Sequence, residues 1–164
     1  MNKSLKQLGS YKNKISLNLI QSEDIKKILL GNKYLETADD EEIEDELITR
    51  IKSQEYIDGV VTESKAYIFY DVTMPRVGST IKDCRLVVYI MCHRHELDML
   101  KSYDYKSEKL IGNKVDILSV VVDDVLESDV KNLGIGELDI KDVVIYNSKD
   151  FYGRVLVYDI PDFR

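Results

Sequence analysis

Arg85-Leu86-Val87-Val88-Tyr89-Ile90-Met91-Cys92 is an almost unbroken apolar run, bounded by Asp83 before it and by His93-Arg94-His95 after it. It is rich in β-branched and aromatic residues and contains neither Gly nor Pro. A half-exposed strand alternates polar and apolar side chains, whereas a run that does not alternate suits a strand covered on both faces. The stretch therefore predicts a central strand. Such a strand needs neighbours on both edges and another layer over its faces, and the flanking segments are read with that requirement in mind.

Immediately upstream, Ala66, Ile68, Tyr70, Val72 and Met74 alternate with Lys65, Tyr67, Phe69, Asp71 and Thr73, which predicts a strand with a mixed second face. Pro75-Arg76-Val77-Gly78-Ser79-Thr80 reads as a polar loop, and the two strands as a β-hairpin with a long tip. Exposed tips of this kind are where scaffolds make contacts. The segment before it holds the Asp58-Gly59 turn.

Farther upstream, Ser22 is an N-cap candidate with Glu23 and Asp24 in the first turn, and Gly31-Asn32 is the stop signal. Ile25, Ile28 and Leu29 share one face of that helix. The acid-dense stretch from Glu36 to Glu46 escapes a disordered reading because Ile43, Leu47 and Ile51 recur every fourth residue; it predicts a second amphipathic helix from Asp40 to Ser53. Its acids suit a solvated, dipole-matched face, with subunit or calcium contacts as the alternative. A helix-loop-helix calcium site wants alternating oxygen ligands and a Gly at the sixth loop position, and neither is present. Residues 1–14 carry Lys3, Lys6, Lys12 and Lys14 with few large apolar residues, and read as an N-terminal arm that is frayed or docks on a neighbouring subunit.

Downstream, His93 and His95 beside Glu96 invite a zinc reading, but they are the only 2 histidines and no third ligand lies at a recognisable spacing. A polar cluster at the strand end is the expectation, with no metal. Tyr103-Asp104-Tyr105-Lys106 reads as a connection. Asn113 is the N-cap candidate of the main packing helix, with Val115, Leu118, Val122, Val125 and Leu126 in one stripe and Asp116, Asp123 and Asp124 on the other side. Leu133-Gly134-Ile135-Gly136 lacks the third Gly and the following helix of a dinucleotide loop. Val143 to Tyr146 and Phe151 to Ile160 read as strands joined by the turn Asn147-Ser148-Lys149-Asp150. The expected fold is α+β: one domain over residues 15–164, with a mostly antiparallel four- or five-stranded sheet backed by helices and two helices N-terminal to it.

Composition narrows the function classes. With 164 residues and 44% hydrophobic content the chain has enough apolar material for one sizeable core. Its 30 acidic and 23 basic residues leave a formal charge of −7, which disfavours tight nucleic-acid binding by counterion release. Cys84 and Cys92 lie eight residues apart on one extended segment, about 25 Å at ~3.3 Å per residue, beyond disulfide reach. Reduced thiols in a cytosolic chain are expected. No stretch approaches the roughly 20 apolar residues of a membrane span, and Met1 to Gln7 lacks the apolar core of a signal peptide. Acids are too plentiful to single out a catalytic pair, so neither an enzyme nor a cofactor is expected.

The strand from Ala66 to Met74, the strand from Asp83 to His93, the helix from Asn113 to Leu126, Leu133-Gly134-Ile135-Gly136, and the closing Phe151-Tyr152-Gly153-Arg154-Val155-Leu156-Val157-Tyr158-Asp159-Ile160-Pro161-Asp162-Phe163 together resemble small neck or tail-completion proteins of tailed bacteriophages and prophages. The similarity spans roughly residues 60 to 163 and is a pattern of elements with a terminal aromatic signature, not a catalytic motif. The order of helix, two strands, helix, two strands is similar to the tail-terminator fold. The resemblance implies a structural virion protein, made in the host bacterial cytoplasm. Its subunits would form a ring, hexameric or dodecameric, at the head–tail junction, ending tail-tube growth and joining the tail to the head. A head–tail adaptor or stopper ring is the close alternative. The implied partners are further copies of the chain and neighbouring neck, tail-tube or tail-sheath proteins. DNA would pass through a lumen whose acidity repels phosphate over about 8 Å at physiological salt. A non-viral peptide-binding or regulatory module using a sheet edge is the reading from another class. The interface candidates are Pro75, Arg76 and Val77 in the hairpin loop, Asp39, Asp40, Glu41 and Glu42 at the head of the acidic helix, and Asp162, Phe163 and Arg164 at the C-terminus; each also suits an ordinary solvated loop, helix end or tail.

Overall fold

The computed structural model describes residues 3–54, 56, 61–77, 82–128 and 138–160. Four helices open the chain: α1 Lys3–Gln21, α2 Glu23–Leu30, α3 Asn32–Thr37 and α4 Asp40–Arg50. β1 Ile51–Lys52, β2 Ala66–Val77 and β3 Lys82–His93 follow, then α5 Arg94–Leu97, β4 Ser102–Tyr105, β5 Glu108–Ile111, α6 Lys114–Ser128, β6 Asp139–Asn147 and β7 Phe151–Asp159. Five strands form one sheet in the order β1-β2-β3-β7-β6, and β4 and β5 form a separate hairpin. Among the described residues only the β1–β2 pair is parallel. The chain is a single α+β domain with a mixed sheet backed by helices, as the pattern of elements predicts.

β3 is the central strand. Ile90 stands opposite Ile68 of β2 on one side and Arg154 of β7 on the other. Leu86, Val88, Ile90 and Cys92 enter the main core beside Ile15, Leu19, Ile25, Leu29, Val115, Leu118 and Val122, so α1, α2 and α6 cover that face. The opposite face carries a smaller aromatic layer made of Tyr56, Tyr67, Phe69, Met91 and Phe151, with the Tyr67 and Phe69 rings stacked at 5.5 Å. The absence of alternation in β3 is thus explained by two covers of different kinds.

Local signals set the helix starts. Ser22 accepts from the Ile25 amide at 3.3 Å and caps α2. Asp39 and Glu42 form a capping box at α4, the Asp39 carboxylate accepting from the Glu42 amide at 2.9 Å and the Glu42 carboxylate from the Asp39 amide at 3.1 Å. Asn113 and Asp116 do the same for α6, at 3.0 and 3.1 Å.

Several expectations are corrected. Residues 3–14 are not an arm: they begin α1, where Tyr11, Ile15 and Leu19 are buried at helical spacing and Tyr70 donates its hydroxyl to the Lys12 carbonyl at 3.0 Å. Lys12 and Lys14 flank that stripe, Lys12 pairing with Asp71 of β2 and Lys14 lying over the Tyr11 ring, and the lysine density hid the apolar spacing. α4 ends at Arg50 instead of Ser53, because Ile51 turns away to pair with Ile68. Pro75, Arg76 and Val77 belong to β2 and not to a loop; Arg76 and Val77 stand opposite Asp83 and Lys82, beyond a register shift between Thr73 and Arg76. That irregularity accommodates Pro75, which has no N–H for a ladder. Tyr103 to Lys106 is no mere connection. It forms β4 and its turn, with Lys106 and Ser107 both at positive φ, 46° and 67°. Two positive-φ residues define the I′ hairpin turn, normally announced by Asn-Gly or Asp-Gly, and Lys-Ser carries no such cue. Asp58-Gly59, Gly78-Ser79-Thr80, Leu133-Gly134-Ile135-Gly136 and Asp162-Phe163-Arg164 lie outside the described residues.

The acids of α6 are structural. Asp116 accepts from Arg154 of β7 at 2.6 Å, Asp123 from the Tyr158 hydroxyl at 2.6 Å, and Asp124 from the Tyr105 hydroxyl at 2.6 Å. What resembles a solvated helix face fastens α6 to the sheet on one side and to the β4–β5 hairpin on the other.

Candidate functional site

β6 reads Asp139-Ile140-Lys141-Asp142-Val143-Val144-Ile145-Tyr146-Asn147 and lies at the edge of the sheet, paired with β7 on one side. Four successive residues with high strand propensity, Val143 to Tyr146, explain why it forms a strand. Register assigns their faces, since directly opposed residues share a face of the sheet. Val143 stands opposite Leu156 and Ile145 opposite Arg154, on the helix side; Val144 and Tyr146 stand opposite Val155 and Gly153, on the aromatic side.

Although it is apolar, this strand is open. Val143, Val144 and Ile145 are 55%, 52% and 61% exposed, so water reaches both faces of the strand. Its outer N–H and C=O groups have no strand partner among the described residues. Proteins usually blunt such an edge with charge, bulges or brevity. β6 does so only at its start, where the register shifts between Ile140 and Asp142 and Lys141 forms an ion pair with Asp139. From Val143 onward the edge is regular and uncharged. Tyr146 carries the aromatic layer to this strand, its ring meeting Tyr56 edge-on at 5.1 Å.

The sequence-derived interface residues are placed elsewhere. Asp39, Asp40, Glu41 and Glu42 gather at the exposed N-terminus of α4, where Asp39 and Glu42 already serve as the cap. Pro75, Arg76 and Val77 end β2. Asp162, Phe163 and Arg164 are outside the described residues. None belongs to β6, which sequence reasoning recognised as a strand without finding its open edge.

The remaining chemistry-bearing groups are built into the scaffold. His93 accepts from the His95 amide through Nδ1 at 3.2 Å and packs edge-on against Phe151 at 5.2 Å, while Arg94 donates to the Ser148 carbonyl at 3.0 Å and so anchors the β6–β7 turn. Among the described residues no group of three or more His, Cys, Asp or Glu is placed to hold a metal. Both cysteines are buried and free. Burial pushes the Cys84 thiol up to about 11 and the Cys92 thiol up to about 12, so neither is a thiolate at neutral pH.

Those raised values predict an alkaline limit to stability. An unfolded thiol ionises near 9, whereas the folded thiols hold their protons to about 11 and 12. The unfolded state therefore binds fewer protons above pH 9, and stability present below that value is lost as pH rises through the folded values. Burial, then hydrogen bonds to Asp24, Asp124 and Asp123, raises Tyr103, Tyr105 and Tyr158 in the same direction. Urea midpoints measured from pH 8 to 11 should fall by the equivalent of a few kcal/mol; a flat profile would mean that the thiols are hydrated.

An open sheet with helices on one face and an apolar strand at its rim defines a small α+β protein with an exposed apolar strand edge. The chain belongs to the YomW family, whose model matches residues 22–160, from the cap of α2 to the residue after β7. This is a phage-region family, and the chain is accordingly a phage- or prophage-associated protein. No curated protein matches it.

Proposed function

We propose that this phage- or prophage-associated protein is a structural subunit of the virion, a tail-terminator-like ring at the head–tail junction that ends tail-tube growth and joins the tail to the head. The observation that carries the reading is β6: an edge strand, regular from Val143 on, with apolar side chains exposed on both faces. An edge of this kind is stabilised when another chain covers it, because pairing satisfies its backbone groups while burial removes apolar surface from water. If β6 of one copy meets a different surface of the next, the contact is heterologous, and it gives a ring when the rotation between copies closes. The formal charge of −7 suits a particle neck, since an acidic lumen lets DNA pass without adhering. The role is structural, with no reaction and no cofactor, and its partners are the tail tube or sheath and the neighbouring neck rings.

Light scattering of the purified chain over a range of concentrations, followed by electron microscopy of the large species, tests this. A hexameric ring is expected; a dodecamer would favour the adaptor or stopper role. A dimer would assign β6 to an isologous pair and remove the ring. A monomer at all concentrations would favour the second reading that the same edge supports, a module that accepts a partner peptide as an added strand.

A further inference from the structure

Away from β6, the C-terminal end of α2, the short α5 and the start of α6 enclose a cavity of about 350 Å³. The chain as a whole is acidic, yet this cavity is lined by Lys27, Arg50 and Lys114 with Glu96 as its one acid. Arg50 and Lys114 are each only 8% exposed. A buried cation needs compensation, and the two differ in how much they receive. Arg50 gives Nε to Glu46 at 2.9 Å and Nη1 to the Leu29 carbonyl at 2.7 Å, which locks its position. Lys114 has a single hydrogen bond among the described residues, from Nζ to Glu96 Oε2 at 3.1 Å, although an ammonium carries three donors.

Lys114 is also the first residue of α6, at the end of the helix dipole that repels cations and attracts anions. Its charge and the α6 dipole favour negative charge in the cavity, while Glu96 and the C-terminal end of α2 oppose it and Arg50 is already paired with Glu46. The other walls are mixed: Asn32 and Gly31 line the cavity with Leu30, Met99 and Leu100, Ile28 lies almost wholly beneath the surface, and the Tyr103 hydroxyl is held by Asp24 at 2.7 Å. A volume of this size lies within the range of small-molecule sites.

We propose that this cavity binds a small organic carboxylate, its head on Lys114 in the field of Arg50 and its short apolar body against Ile28, Leu30 and Leu100. The exposed Lys27 guides the anion at the rim. The site is independent of β6 and of the ring reading.

The test titrates the full chain with hexanoate and, separately, with inorganic phosphate, following backbone amide resonances by NMR. Hexanoate is expected to give saturable shifts confined to the residues around Gly31, Leu100 and Lys114, with phosphate at least tenfold weaker because it leaves the apolar walls uncovered. Losing a charge-assisted hydrogen bond, Lys114→Gln should weaken hexanoate roughly ten- to hundredfold. Lys27→Gln, at an exposed position that folding does not need, should weaken it a few-fold, and Lys33→Gln on α3 should leave it unchanged. The proposal is overturned if hexanoate produces no saturable shifts in the cavity, if phosphate binds as tightly, or if Lys27→Gln and Lys33→Gln behave alike. Should Lys114→Gln fail to fold, the Lys27 and Lys33 pair and the phosphate arm still decide.

Discussion

Lysines placed together at Val144 and Ile145 are expected to leave the subunit folded and to abolish its self-association. The two side chains are 52% and 61% exposed, so little packing is lost in the monomer, and surface changes of this kind usually stay within about 0.5 kcal/mol. They point to opposite faces of β6, as their opposition to Val155 and Arg154 requires. A covering chain would therefore have to bury a charge whichever face it packed on. Edge lysines are also the device by which proteins prevent strand-to-strand association. Circular dichroism should match the parent, and the light-scattering mass should fall to that of one subunit at every concentration. In particles assembled with the variant, electron microscopy should find heads and tails unjoined. A variant that retains the parent's mass would move the interface away from β6. The effect should be all-or-none because the same contact recurs at each junction of a ring.

Replacing Gly153 is expected to damage the fold by overpacking its centre. A Cβ at this position would lie 2.2 Å from the Met91 sulfur and 2.7 Å from the Ile90 carbonyl oxygen. Met91 is a flexible side chain but is packed in the aromatic layer, and the Ile90 carbonyl belongs to the backbone of the central strand and cannot move aside. Ile90 and Met91 are both 0% exposed, so no space is open beside them. Overpacking of a filled core costs typically about 1–3 kcal/mol. Gly153→Ala should fall in that range and Gly153→Val beyond it, a large share of the roughly 5–15 kcal/mol that holds a domain together. The urea midpoint should drop with its slope unchanged. Met91→Ala in the Gly153→Ala background separates the two contacts. Partial recovery is expected, since it removes the sulfur clash and leaves the carbonyl clash; full recovery would show that β3 and β7 can move apart.

Much of the architecture was legible because its causes are local. The eight residues from Arg85 to Cys92 mark the central strand by composition alone, and Ser22 and Asn113 mark helix starts because a capping side chain reaches only two or three residues along the chain. The alternation from Ala66 to Met74 and the turn from Asn147 to Asp150 are local in the same sense. The failures have physical reasons as well. The stripe of Tyr11, Ile15 and Leu19 was masked by the lysines interspersed with it along α1, and Lys106-Ser107 adopts a turn that its residue types do not announce.

The candidate sites were less legible, because each depends on pairing between distant segments. Val143 to Tyr146 has the same continuous apolar character as the middle of β3, yet one strand is central and the other lies at the rim. Strand order separates them. The acids of α6 and the cations of the cavity make the same point: Asp123 and Asp124 are taken up by tyrosines on β7 and β4, and Lys27, Arg50 and Lys114 converge from three helices. By itself the sequence determined the central strand, the starts of three helices, the α+β class and the acidic charge, all set by short-range propensity and composition. Only the tertiary structure decided which apolar strand stays open to another chain and which charges remain without full compensation, because both follow from long-range packing that leaves no periodic trace along the chain.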